Sequence, residues 1–163
     1  MKETFKFIID ARKAFIQLLD ELSLEEINQI PEGFNNNIIW NFGHIVVSTQ
    51  TLCYVRTGIT ADTSSIKYLD AYKKGSKPTY FVTAEEVADL KALAISTVQR
   101  IEEDYKKGSF QHVQPYETGT YGTVLHSFAD VLITTAGHDN LHLGYAIAQR
   151  RAIKKDQRTR NKD

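Results

Sequence analysis

Cysteine is almost missing from this chain: Cys53 is the only one among 163 residues. An intramolecular disulfide is therefore excluded, and a reducing, cytoplasmic setting is expected. Charge of one sign is missing too. Lysine plus arginine and aspartate plus glutamate both number 20, so the formal net charge is zero. No global field draws the chain to nucleic acid or anionic lipid, and neither is expected as a partner. Long apolar runs are absent as well. No window approaches the roughly 18 apolar residues of a membrane span, and charges interrupt every apolar run of the opening "MKETFKFIIDARKAF", which does not read as a signal peptide. With only three prolines there are few enforced breaks, and the length suits one hydrophobic core without a covalent or metal staple.

What is present is helical periodicity. Phe5, Ile8, Ile9, Phe15, Leu18, Leu19 and Leu22 recur at threes and fours and predict a first helix. "SLEEINQIP" predicts a short capped turn, with Ser23 and Glu26 as its box. After "PEGFNNN" a second helix is expected from Asn36 or Asn37 to about Arg56, stopped by Gly58. Residues 57 to 82 hold no sustained period and read as a long crossover, with a helical turn around Ser64 to Tyr72. Thr83 and Glu86 box the start of a third helix carrying Val87, Leu90, Ala94, Val98 and Ile101. "FQHVQPYETGTYG" reads as an ordered loop across one end, and a fourth helix is expected from near Thr123 to Ser127 as far as about Lys154. No alternating pattern suggests a sheet. The expected fold is all-α: one domain over residues 1–155, a four-helix bundle with a long crossover between its second and third helices, and a charged, frayed tail over 156–163.

The chemistry lies in the histidines. His138 and His142 stand four apart, so they project from one helix face one turn above the other, the spacing of bidentate metal capture. His44, on the second helix, is the candidate third ligand. His126 lies twelve residues before His138, about 120° away around a continuous helix, and Cys53 lies about 180° from His44, so neither is expected to join. His112 belongs to the aromatic loop and has no neighbour at ligand spacing. The competing reading is that each histidine is a hydrogen-bonded core residue. Against it stands a run of polar residues on the same predicted faces: Asn41, Ser48 and Thr51 on one helix, Thr134, Thr135, Tyr145 and Gln149 on the other. Each costs about 1 to 3 kcal/mol if buried without a partner, so a wet cavity explains them better. Tyr145 and Gln149 are taken as pocket groups that orient a substrate. For imidazoles of ordinary basicity, metal affinity should fall below about pH 6. "HDNLH" has the outline of the metalloprotease His-Glu-x-x-His, but Asp139 is a methylene shorter than the required glutamate, and the protease reading is set aside.

At these residues the chain resembles the DinB-like superfamily, which includes the YfiT-like thiol transferases. "IIWNFGHI" is similar to that family's tryptophan, glycine-histidine and aliphatic signature. "HDNLHLGYAIAQRR" is similar to its histidine, three residues, histidine, aliphatic and glycine signature with a basic end. The resemblance covers residues 5 to 152 and implies that His44, His138 and His142 hold a divalent ion, zinc or nickel, often in a homodimer. It departs at Asp139, where many members have glutamate. Trp40 is read as a wall of the core or cavity and Gly144 as a close helix contact. The implied activity is a metal-dependent transfer of a low-molecular-weight thiol of the bacillithiol type to an electrophile. Two alternatives remain: metal-assisted hydrolysis of a small substrate, and a non-catalytic, stress-related metal-binding bundle.

Overall fold

The computed structural model describes residues 1–160, with side chains described to Gln157. Six α-helices run in the order α1 (Lys2–Asp20), α2 (Leu24–Asn28), α3 (Ile38–Gln50), α4 (Leu69–Tyr72), α5 (Ala84–Lys106) and α6 (Phe128–Arg160). The bundle consists of α1, α3, α5 and α6. Side-chain pairings fix their directions. Arg12 meets Asp139 and Glu21 meets Arg150, so α1 and α6 run parallel. Asp20 meets Lys91 and Phe5 meets Tyr105, so α5 runs against α1. Asn41 meets Gln149 while His44 meets His138, so α3 opposes α6. The consecutive bundle helices α3 and α5 are therefore parallel, which no short turn can connect. This is the physical reason for the crossover that contains α4.

The predicted caps form, but only one of the two predicted boxes does, because the Glu86 carboxylate is taken by the Tyr72 and Tyr80 hydroxyls. The Ser23 hydroxyl accepts from the Glu26 N–H while Glu26 accepts from the Ser23 N–H, and Asn37 and Thr83 cap α3 and α5. Three boundaries move. The second helix does not reach Arg56 as an α-helix: residues Thr51–Val55 form a π-helical turn, closed by Arg56 N–H donating to the Thr51 carbonyl. The fourth helix starts at Phe128, because residues before it pair as a two-residue antiparallel ladder, β1 (Tyr116–Glu117) with β2 (Val124–Leu125). At the other end α6 continues to Arg160, past Lys154, since Lys154 and Gln157 both reach Glu26 and tie the last turns to α2. Residues 161–163 of the expected tail lie outside the described residues.

The core has two apolar halves. One gathers Phe15, Leu18, Ile39, Phe42, Leu90 and Ile153. The other gathers Phe5, Ile8, Cys53, Ile101, Leu132 and Phe128. Between them lies a polar layer centred on Arg12, which is completely buried. Its Nε donates to Asp139 Oδ2 at 2.8 Å, Nη1 to the Ala94 carbonyl at 2.8 Å and to Thr97 at 3.3 Å, and Nη2 to the Ile45 carbonyl at 3.3 Å and to Thr49. One guanidinium thus joins all four bundle helices.

Candidate metal centre

His44 projects from α3, and His138 and His142 project from successive turns of α6. Their ligand-capable atoms lie within 4.8 Å of one another, the one such histidine, cysteine or carboxylate cluster among the described residues. The ring centroids are 5.1 Å apart for His44 and His138, and 4.6 Å for each of the other two pairs.

The proton positions on two of the rings follow from fixed acceptors. His44 Nδ1 lies 2.6 Å from the Tyr72 carbonyl. A carbonyl only accepts, so Nδ1 carries the proton and Nε2 is left with its lone pair. The His142 tautomer is fixed through a chain of four residues. Gln149 Nε2 donates to the Asn36 carbonyl at 2.7 Å, so Oε1 is the end that accepts from Asn41 Nδ2 at 3.0 Å. Asn41 Oδ1 then faces His142 Nδ1 at 2.7 Å and must accept from it. Again Nε2 is free. Orienting a ligand histidine through its second nitrogen is the common arrangement at metal sites. His138 Nδ1 is buried and has no partner. It is the one buried nitrogen of the cluster that the chain leaves unsatisfied, which fits a centre completed from outside the chain.

The electrostatics favour neutral rings. Burial lowers the pKa of His44, against the opposing effect of the Tyr72 carbonyl. Burial, then the charge of His44 and Arg12, lowers His138 to about 4. Burial, then His138 and His44, lowers His142 to about 3. These folded values lie below the unfolded value near 6.5. All three rings therefore take up protons at lower pH in the folded chain than in the unfolded one, and the fall in metal affinity expected below about pH 6 moves to lower pH. At pH 7 all three offer lone pairs.

Gly43 explains the local sequence "GH". A Cβ at Gly43 would come within 2.5 Å of the Tyr72 ring, so the glycine lets α4 lie against α3. That approach brings the Tyr72 carbonyl to His44. Trp40 completes the seat: its indole stacks on His44 at 4.8 Å and donates to Ser76 in the crossover at 3.1 Å. Trp40 is thus a wall behind the ligand and is not itself in the cavity lining. Gly43→Ala should displace Tyr72, free the His44 ring and weaken metal binding about 10- to 100-fold, although residue 43 ligates nothing. A chelator competition titration measures this, and an unchanged affinity would show that the carbonyl does not orient the ring.

The three histidines stand at the inner end of a cavity of about 430 Å³ between α3, α6, the crossover and the β1–β2 hairpin. Ser48, Thr51 and Thr134 line it, as the polar faces suggested. The other expected polar residues do not. Gln149 is fully buried behind the site, holding Asn41, and so positions His142 indirectly where a substrate contact was expected. Tyr145 is 50% exposed on the outer side of α6, 6.3 Å from the His142 ring and outside the cavity lining. Thr135 donates to its own helix. Gly144 is exposed with no atom within 4 Å of a Cβ there, so it makes no close helix contact. Asp139 points away from the ligands to Arg12, and Cys53 is buried in the far core half, its thiol pushed up to about 12 by burial. His112 and His126 are exposed.

A four-helix bundle that converges three neutral imidazoles from two antiparallel helices defines a class: helical proteins with a three-histidine centre fit for a divalent cation. The chain belongs to the DinB superfamily, whose family model matches residues 8–146, a span that contains all three histidines. No curated protein matches the chain. None of the described helices is long and apolar enough to cross a membrane.

Proposed function

We propose that this DinB-like protein is a metal-dependent transferase that joins a low-molecular-weight thiol to a small electrophile, with zinc or nickel held by His44, His138 and His142. The observation that carries the reading is the set of three neutral imidazoles, with no carboxylate among them, at the inner end of a cavity large enough for a small molecule. A divalent ion there keeps its full charge and favours the thiolate over the thiol at neutral pH. The chain supplies the rest. Tyr72 and the Asn41–Gln149 relay hold the rings in one tautomer, and the cavity walls bring the second substrate beside the sulfur. In the transfer the sulfur forms a C–S bond with the electrophilic carbon. The leaving group departs with the electrons of its former bond, and the thiol proton passes to solvent.

Hydrolysis has one residue in its favour. Glu117 is the one carboxylate in the cavity lining among the described residues, and a hydrolase would need it as a base. The test separates the readings. Metal-loaded protein is given a chloro-dinitrobenzene or a haloalkyl bimane with and without a thiol such as bacillithiol, and with small ester substrates. Turnover that requires both thiol and metal and survives Glu117→Gln is expected. Thiol-independent ester cleavage lost in Glu117→Gln would make it a hydrolase, and no turnover with any combination would leave a metal-binding bundle without catalysis.

A further inference from the structure

The charges around the cavity do not match those of the chain as a whole. Over the sequence acids and bases balance at 20 each, yet the lining holds three cations, Arg56, Lys73 and Lys74, against the single carboxylate of Glu117. Another cavity of about 470 Å³, between the π-helical turn, the crossover and α5, shows no such bias: it has Arg100 against Asp62 and Glu103.

Of the three cations, Lys73 is paired with Asp70 at 2.6 Å. Arg56 and Lys74 have no carboxylate within ion-pair distance among the described residues. Both are placed by the same loop. Arg56 follows the π-helical turn, lies with its guanidinium 4.9 Å from the Tyr116 ring centroid, and donates one N–H to the Glu117 carbonyl at 3.0 Å. Lys74 follows α4, and its Nζ occupies the space that a Cβ at Gly119 would fill. Glu117 and Gly119, two residues apart in the hairpin, thus each touch one of the two cations. The Glu117 carboxylate turns along the hairpin towards Gly122, with Oε1 3.9 Å from where a Cβ there would be. Apart from the histidines, the remaining lining is uncharged, with Val47, Leu52 and Leu69 among its apolar members.

We infer that the molecule this cavity takes is a small anion, bearing a carboxylate or phosphate that docks between Arg56 and Lys74 while its reacting atom reaches the three histidines. The inference rests on the reading of this cavity as the substrate site, and it extends that reading from a reaction type to a substrate class. Arg56 contributes a planar donor set already fixed by Tyr116 and the Glu117 carbonyl, so little side-chain freedom is lost on binding. Lys74 contributes a mobile point charge. The shared chemistry is the anionic group, and it can be carried by the thiol or by the electrophile.

The test uses cobalt-loaded protein, in which thiolate ligation gives a charge-transfer absorption. Mercaptosuccinate and the neutral thiol thioglycerol are titrated against wild type, Arg56→Gln and Lys74→Gln, all at exposed rim positions outside the metal centre. Wild type should bind mercaptosuccinate about tenfold more tightly or better, the effect of one charge-assisted hydrogen bond. Each substitution should remove about 3- to 10-fold of that preference without moving thioglycerol, and 1 M salt should erase it. Equal affinity for the two thiols in wild type, or a preference untouched by both substitutions, overturns the inference. If neither thiol changes the cobalt spectrum, the thiol reading fails by itself, and calorimetry with succinate then decides the anion site. Succinate binding weakened in both variants sustains the site and assigns the anion to the other substrate, whereas no binding, or binding equal in all three proteins, rejects it.

Discussion

Replacing His44, His138 or His142 by alanine, one at a time, is expected to take bound zinc or nickel from close to one ion per chain to a small fraction of that, with the far-ultraviolet helical signal retained. His112→Ala and His126→Ala should keep the metal, because both side chains are exposed and remote from the cluster. The contrast comes from how the bundle is held together. Its two apolar core halves and the Arg12 layer form without the three imidazoles, so losing a ligand costs coordination rather than the fold. A protein that used these histidines only as hydrogen-bonded packing would behave oppositely, losing about 0.5 to 3 kcal/mol of stability per substitution with no difference in metal. Elemental analysis and circular dichroism on the same samples give both readouts. Wild-type metal in His44→Ala would remove the third ligand and separate the two signature stretches. Lost metal with unchanged thiol transfer would keep the centre and remove the transferase.

Arg12→Met is expected to destabilise the chain by about 3 to 5 kcal/mol, because it strands Asp139 as an unpaired charge in the interior. Asp139→Leu should cost a similar amount from the other side. The two together should recover most of the loss, since an apolar pair of similar volume avoids desolvating either charge. On a domain of this size the single losses correspond to a fall in Tm on the order of 6 to 20 °C. Urea unfolding of the four proteins closes the cycle. Single variants within about 0.5 kcal/mol of wild type, the range of an ordinary surface substitution, would show that the layer carries no stability. The double variant also asks what the layer is for. If it is stable yet binds metal less tightly, the Arg12 layer serves to hold α1, α3 and α6 in register rather than to stabilise them.

Why some of this was legible in the sequence and some was not follows from the range of each interaction. Caps and amphipathic stripes are local, so the starts of α3 and α5 and the helical class were readable. The i, i+4 spacing of His138 and His142 is local too. Their meeting with His44 needed a second helix, and the "GH" stretch pointed to it for a reason found only in three dimensions, the Tyr72 ring lying on Gly43. Arg12 carries no local mark of its partners on α3, α5 and α6, although it sits on the same stripe as Phe5, Ile8, Phe15 and Leu19. A lone arginine among apolar stripe positions was the available signal. Gln149 and Tyr145 were assigned by helix face alone. Angle gives direction but not depth, so it could not tell a residue behind the ligands from one in front, nor a cavity from solvent. Arg56 and Lys74 were invisible as a pair because the crossover and the hairpin that bring them together have no period to read.

The π-helical turn at Thr51–Val55 has a consequence for how such a bundle can change over generations. A π turn holds one residue more than the α-helical turn it replaces, so a one-codon deletion within it can close the helix as a regular α-helix without breaking it. Everything before the turn keeps its place, including His44 and the capped start of α3. Everything after it keeps its phase around the axis too, because the α turn that forms covers the same revolution with one residue fewer, so Arg56 still faces the cavity. The metal centre and the charge at its mouth therefore lie on either side of a turn that absorbs a change of length, so their spacing in the sequence can change by one residue while both keep their places around the cavity.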